Sequence, residues 1–563
     1  MHTEQIEVWV DVGGTFTDCL VQQIDSNGHR QRDAIKVLSS GLVSVRVLDH
    51  SDDFTQVEVE LPPAFAIDAF WETAKLREQA GSTVQGESFT VLSCRRQNSG
   101  KVQLQLDGPA TQLRRDQNWV LDAGIESPIL ATRVLLSCPL SQPLPLLSVR
   151  MGTTRGTNAL LTRNGAPTAL LITEGFADLL SIGTQDRPDL FALDIVKPQP
   201  LATQVLEIRG RLNASGEELI PVDESHLRSS LLELKASGPE KVVLAICLLH
   251  AHRNDAHERI VQQIAREVGF DDVICSTEVA SLPRIVPRAE TTTLDAYLLP
   301  ILESYVARVW EQFGGETTCH LRWMTSGGNL VASAGFRGKD SVLSGPAGGV
   351  VALGEVAKQC GVPGAVGLDM GGTSTDVSRF EGSVGRRQES MIGGIRVLTP
   401  MMDIHTIASG GGSICAIRDG RLTVGPDSAG AFPGPACYGH GGPLTVTDVN
   451  VLLGRLPIDR FPFPLDLVAA QTALQQAHQQ LATDSTLSPE QLADGFLQLA
   501  ITQMAEAVRV VTTAAGSDAR RMALVGFGGA AGGHLCQIAD SLEMTHVIDH
   551  PDSGLLSAVG MGA

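Results

Sequence analysis

The sequence predicts an α/β protein of two lobes built from related units, with a mainly β segment inserted in the first. Three observations predict it. Asp11-Val12-Gly13-Gly14-Thr15-Phe16-Thr17-Asp18 returns far downstream as Asp369-Met370-Gly371-Gly372-Thr373-Ser374-Thr375-Asp376, agreeing at six of eight positions. Each octet follows a short apolar run and precedes another, so each sits at the corner of a β-hairpin. Between and after them apolar strand runs alternate with helical patterns, the signature of sheets covered by helices.

Composition sets the bounds. At 563 residues the chain is too long for one simple domain. Hydrophobic residues at 43% and charged residues at 19% exclude general disorder. A net charge of -20 repels phosphate backbones and anionic lipid, and aromatics at 4% leave little for base stacking. Neither nucleic acid nor a membrane is therefore an expected partner. No run of about 18 apolar residues occurs, and the N-terminus lacks the basic start and apolar stretch of a signal peptide. The 10 cysteines are scattered singly, which reads as a reduced, cytoplasmic protein.

In order along the chain, 6–10 and 19–24 are the first hairpin's strands, followed by the turn Asp25-Ser26-Asn27-Gly28. Short alternating stretches such as 43–47 and 102–106, with turn signals at Asn98-Ser99-Gly100 and Asp107-Gly108-Pro109, make about 41–148 the β insertion. A helix is expected at 157–162, a buried strand at 168–173, a strand at 242–249 and helices at 256–267 and 295–310. The second hairpin takes 365–368 and 377–380, and 457–464 reads as a linker. A long helix in 487–509 opens at Ser488-Pro489-Glu490, where serine caps and proline fits the first turn. The expected division is a first lobe over 1–200, carrying the insertion, and a second region over 201–563.

The octets carry chemistry. Adjacent glycines let a ligand approach the backbone, whose N–H groups form a concave anion site to which threonine hydroxyls add donors. An aspartate at the strand end is placed to hold hydrated Mg²⁺ bridging phosphate oxygens. One such corner is equally a tight turn; two suggest phosphates gripped between lobes. Asp11 and Asp369 are thus the catalytic and metal-binding candidates. Gly13, Gly14, Thr15, Thr17, Gly371, Gly372, Thr373 and Thr375 would cradle phosphate.

The paired octets resemble the phosphate loops of the actin, sugar-kinase and heat-shock-70 superfamily, in which two ribonuclease-H-like lobes hold ATP and Mg²⁺ between them. That resemblance implies the actin-like ATPase fold and a third, adenosine-side glycine loop. The run from Ala523 to His534 fits it, with Gly526, Gly528 and Gly529 as nucleotide contacts. Further segments resemble the hydantoinase/oxoprolinase family: Gly152-Thr153-Thr154-Arg155-Gly156-Thr157-Asn158, Leu343-Ser344-Gly345-Pro346-Ala347-Gly348-Gly349, Ser409-Gly410-Gly411-Gly412-Ser413, Pro433-Gly434-Pro435-Ala436-Cys437-Tyr438-Gly439 and Thr445-Val446-Thr447-Asp448. Thr184-Gln185-Asp186-Arg187-Pro188-Asp189 and Arg284-Ile285-Val286-Pro287-Arg288 resemble its ATP-dependent 5-oxoprolinases most. The stretch 41–148 departs from the family pattern.

The resemblance implies ATP-dependent ring opening of a cyclic amide, with potassium as a possible further ion. It also implies a hydantoinase B-like subunit or C-terminal half as partner, so this chain reads as the ATP-binding half of an oligomeric enzyme. Hydantoin cleavage, ketone carboxylation and a non-catalytic nucleotide switch are the alternatives. Arg155, Arg187, Arg284 and Arg288 are candidates for the substrate carboxylate. Asp403, His405, His440 and Asp448 have metal-ligand chemistry, but ordinary hydrogen-bonded loop residues are the expected reading. Cys19, Cys415, Cys437 and Cys536 are expected to pack.

Overall fold

The computed structural model describes residues 5–563 apart from 81–82, 99, 115–117, 186–189, 240, 462 and 482–486. In the first lobe, strands run in the order Arg30–Leu38, Phe16–Ile24, Gln5–Val12, Leu147–Thr153, Cys319–Met324, Leu330–Ala332. The first three are antiparallel; Gln5–Val12, Leu147–Thr153 and Cys319–Met324 are parallel. The second lobe repeats this: Ile404–Ile407, Thr375–Glu381, Gly364–Met370, Ala523–Phe527, His546–Asp549, three antiparallel strands followed by two parallel ones. Two sheets of one ribonuclease-H-like topology establish the two-lobed α/β ATPase fold.

Both faces of the leading strand are buried, as a helix-covered sheet requires. Val8, Val10 and Val12 enter the first lobe's core; Trp9 between them turns to the opposite side, where Ala347, Val350 and Met561 pack. Those partners lie on helices Ser344–Gln359 and Leu556–Met561. The same helices contribute Leu353, Val356 and Leu556 to a core with Ala365, Phe380, Ala523 and Phe527 of the second lobe. They cross so closely that a Cβ on Gly560 would collide with the Gly348 carbonyl. This helix pair ties the lobes together.

Residues 42–122 close into a six-stranded antiparallel barrel, Asn118–Asp122 pairing with both Leu42–His50 and Lys75–Ala80. Its core, with Trp71 and Trp119 buried, is continuous with that of the first lobe. A parallel sheet, Gln204–Ile208, Thr168–Thr173, Val243–Cys247, Val273–Cys275, forms a further layer. The division at residue 200 is corrected by these ladders. Ala169 pairs with Gln204 across it, and Cys319–Met324 returns to the first lobe's sheet.

The helix expected at 295–310 spans Ile285–Gln312, because Pro287 lies in its first turn, where no backbone donor is lost, and Thr291 and Thr292 bond back to the carbonyls of Pro287 and Arg288. Pro489–Ala514 begins with Ser488 and Gln491 capping each other reciprocally. Among the described residues no helix is long and apolar enough to cross a membrane.

Candidate nucleotide site

Each octet forms the same turn. Gly13 N–H donates to Phe16 O and Gly371 N–H to Ser374 O, both at 3.0 Å. Opposed register pairs Asp11 with Asp18 and Asp369 with Asp376, bringing two carboxylates to each hairpin end. Gly14, Thr15, Gly372 and Thr373 are exposed at the tips, Gly13 and Gly371 partly covered beneath them. Thr17 and Thr375 are corrected: both are fully buried, Thr17 Oγ1 bonded to Ser39 and Ser127 hydroxyls and Thr375 Oγ1 donating to Ser409 O. They brace the loops from below.

The two leading aspartates are each partly covered, and the charge of one reaches the other. Burial raises the Asp11 carboxyl to about 7, Asp18 adds to the rise, and Lys36 opposes it. Burial likewise raises Asp369 to about 8, with further repulsion from Asp376 and from Asp11 of the other lobe. Asp11 Oδ1 is buried with no hydrogen-bond partner. An acceptor-only oxygen left orphaned, beside carboxylates that repel one another, fits a divalent cation.

The helix pair reaches both corners. Gly345, in the first turn of Ser344–Gln359, passes so near that a Cβ there would lie 2.9 Å from Asp11 Oδ1. Ser344 Oγ anchors this turn to Thr153, accepting from its N–H and donating to its carbonyl. Ser557 Oγ, on the other helix, donates to Asp369 Oδ2 at 3.4 Å.

The third glycine run lies against the second loop. Ala530 N–H donates to Met370 O at 3.0 Å. Gly528 has φ +83, and any side chain on it would collide with Asp369. Gly529 is exposed and open. Gly526 is corrected: it is a buried strand residue whose missing side chain lets Leu535 close onto the sheet. Ser409-Gly410-Gly411-Gly412 shows no role in its own residues; its role lies in what it stacks against. Gly411 N–H donates to Gly371 O and Gly412 N–H to Gly372 O, at 3.0 and 2.7 Å, so this loop carries the second corner. Lys36 stands beside Asp18, and its signal, a lysine opposite an acidic hairpin end, emerges only from strand register.

The substrate-side arginines separate. Arg288 is fully buried, bonding to Cys247 Sγ, His252 Nδ1, Leu282 O and Leu248 O, so it braces the parallel sheet rather than meeting a ligand. Arg155 pairs with Glu126 at 2.8 Å and stacks 4.2 Å over Tyr305. Arg284, exposed, pairs with Glu389. Arg187 lies outside the described residues. Asp448 closes the capping box of Val446–Leu452 and also accepts from Ala436 and Cys437 N–H; Asp403 pairs with Arg387, and His440 packs on Phe432. Among the described residues no group of three or more His, Cys, Asp or Glu side chains is placed to hold a metal ion by itself. Cys19, Cys415 and Cys437 are buried, and Cys536 is exposed.

Comparison with known proteins decides the family. The hydantoinase/oxoprolinase model matches residues 288–563, and the model of that family's N-terminal region matches 131–269. The chain belongs to the hydantoinase/oxoprolinase family. It is 40% identical over 454 residues to a 5-oxoprolinase of Saccharomyces cerevisiae, covering 74% of this chain and 35% of that protein. It is 39% identical to 5-oxoprolinase 1 of Arabidopsis thaliana, covering 74% and 36%. The chain thus spans about a third of the length of these curated relatives. To the caprolactamase subunit alpha of Pseudomonas jessenii it is 32% identical, covering 69% of this chain and 58% of that one. The crystal structure of the ATP-dependent caprolactamase from that organism superposes with TM-score 0.67 at 28% identity, covering 88% and 70%. Nucleotide-free acetone carboxylase shares the fold, with TM-score 0.69 at 20% identity over 100% and 70%. This hydantoinase/oxoprolinase chain thus shares its fold with both solved structures.

Proposed function

We propose that this chain binds ATP with Mg²⁺ between its lobes and activates a cyclic amide for ring opening, 5-oxo-L-proline to L-glutamate being the favoured reaction. The observation that carries this reading is that one packed helix pair meets both leading aspartates, Gly345 against Asp11 and Ser557 bonded to Asp369, beside an orphaned acceptor oxygen. Asp11 and Asp369 would hold the cation. When bound, it neutralises charge on the transferring phosphoryl group. The exposed loop tips Gly14, Thr15, Gly372 and Thr373 present N–H and hydroxyl donors to the phosphates, and Gly529 borders the adenosine.

A lactam carbonyl resists attack because the ring nitrogen donates into it. Phosphorylation of its oxygen, with ADP leaving, makes the carbon attackable. Water adds, the C–N bond breaks with a proton passing to nitrogen, and a second water releases phosphate from the acyl phosphate. This chain's part is positioning and charge, since phosphoryl transfer needs little covalent help. A second component, of the kind that would account for the additional length of the 5-oxoprolinases, completes hydrolysis. Kinship to a caprolactamase subunit over 58% of its length supports a larger lactam as the second reading.

The test is phosphate release, with and without 5-oxo-L-proline, by the chain combined with a hydantoinase B-like component. Stimulation by the lactam is expected, with MgATP binding but little turnover by the isolated chain. Full coupled turnover by this chain alone would overturn the need for a second component. A rate unmoved by oxoproline, caprolactam or hydantoin would overturn the lactam assignment.

A further inference from the structure

The duplicated corners permit a residue-by-residue comparison, and it isolates one difference in charge. Asp18 and Asp376 close the two octets. In the first lobe the third strand places Lys36 in register with Asp18; in the second it places Thr406 in register with Asp376. The Thr406 hydroxyl donates to Asp376 at 2.5 Å, a neutral contact. Lys36 instead forms an ion pair with Asp18, and its ammonium lies 5.7 Å from the ring of Phe16, in the first loop. Its side chain is 41% exposed against 16% for Asp18, so the ammonium stands on the open side of the pair. It is also near enough to Asp11 to oppose the rise of that carboxyl.

A nucleoside triphosphate is not symmetric between two such corners: its terminal phosphoryl group carries the most charge and is the part transferred. An ammonium has three donors, so Lys36 can keep Asp18 and still offer hydrogens to a phosphate oxygen. A surface pair with no further duty would add little to stability, and the second lobe closes its hairpin without one. Resting on the nucleotide reading above, we propose that Lys36 binds the γ-phosphoryl group of ATP and so directs the transferred end of the nucleotide to the first lobe. The asymmetry of the duplicated site then sets the polarity of the ligand.

Calorimetric titration with ATP and with ADP, each with Mg²⁺, tests this. For K36M the ADP affinity should stay within about twofold of wild type while ATP binds roughly 10- to 100-fold more weakly, the scale of one charge-assisted contact. T406V should preserve the wild-type ratio. A second measurement needs no variant: reductive methylation of the wild-type chain, read by peptide mass, should be blocked at Lys36 by a non-hydrolysable ATP analogue and not by ADP. Equal weakening of ATP and ADP by K36M, no weakening of either, or equal labelling of Lys36 under both nucleotides would overturn the assignment. Failure of the wild-type chain to bind either nucleotide would overturn the nucleotide reading itself.

Discussion

Residues 11–18 and 369–376 are one hairpin folded twice, yet they are held by different means. The first loop is steadied by one residue of the third strand's end, Ser39, whose N–H donates to Thr15 O at 2.9 Å and whose Oγ donates to Gly13 O at 2.7 Å. The second is steadied by backbone, through Gly411 and Gly412, and is covered by the third glycine run at Met370. The first has a lysine beside its closing aspartate, the second a threonine. What recurs is the pattern of N–H groups and the leading carboxylate; what differs is everything that could distinguish one end of a ligand from the other. On the reading proposed above, duplication would account for the grip, and divergence of the supporting elements would give it direction.

If both corners are needed, D11N and D369N should each lower lactam-stimulated phosphate release by roughly 100- to 1,000-fold, the scale of losing a principal electrostatic stabiliser. A near-neutral variant on one side would break the equivalence. The second corner's dependence on backbone support is sharpened by G410A. A methyl there would lie 2.8 Å from main-chain atoms of Gly372, Thr373 and Ser374, so ATP affinity should fall about tenfold, against about twofold or less for G532A, which meets nothing. Titration calorimetry of the two variants checks this.

The raised carboxyls of the leading aspartates predict a pH dependence with a definite sign. Asp11 and Asp369 are raised to about 7 and about 8 in the folded chain. Through the range from about pH 4 to 8 the native state therefore binds more protons than the unfolded one, and stability falls as pH rises. In denaturant melts without nucleotide or divalent ion, D369N should gain on wild type from pH 5 to pH 8. A constant difference would contradict the coupling. The smallest of these effects separates packing from binding: G526A, crowding Leu535, should cost about 1–3 kcal/mol in denaturant melts while the folded fraction binds ATP as before.

Much of this was legible because hairpins and octets are local. The strands flanking Asp11 and Asp369, and the Ser488 cap, follow from neighbouring residues alone. The parts that were not legible depend on distant partners. Thr17 looks like a phosphate donor until Ser127, more than a hundred positions away, is found beneath it. Arg288 looks like a carboxylate ligand until a sheet closes over it. Gly526 reads as loop because its glycine neighbours do, although burial against Leu535 makes it strand. Lys36 and Gly410-Gly411-Gly412 gain meaning only when register and loop stacking bring them to the corners.

The proposed nucleotide site requires the two aspartates to grip one ligand, and a double-mutant cycle on MgATP binding tests that most directly. Calorimetry on wild type, D11N, D369N and the double variant should give one nucleotide per chain. The double variant should bind little worse than either single one, because removing one side already breaks the shared clamp. Two nucleotides per chain, or losses that simply add, would mean that the corners act separately.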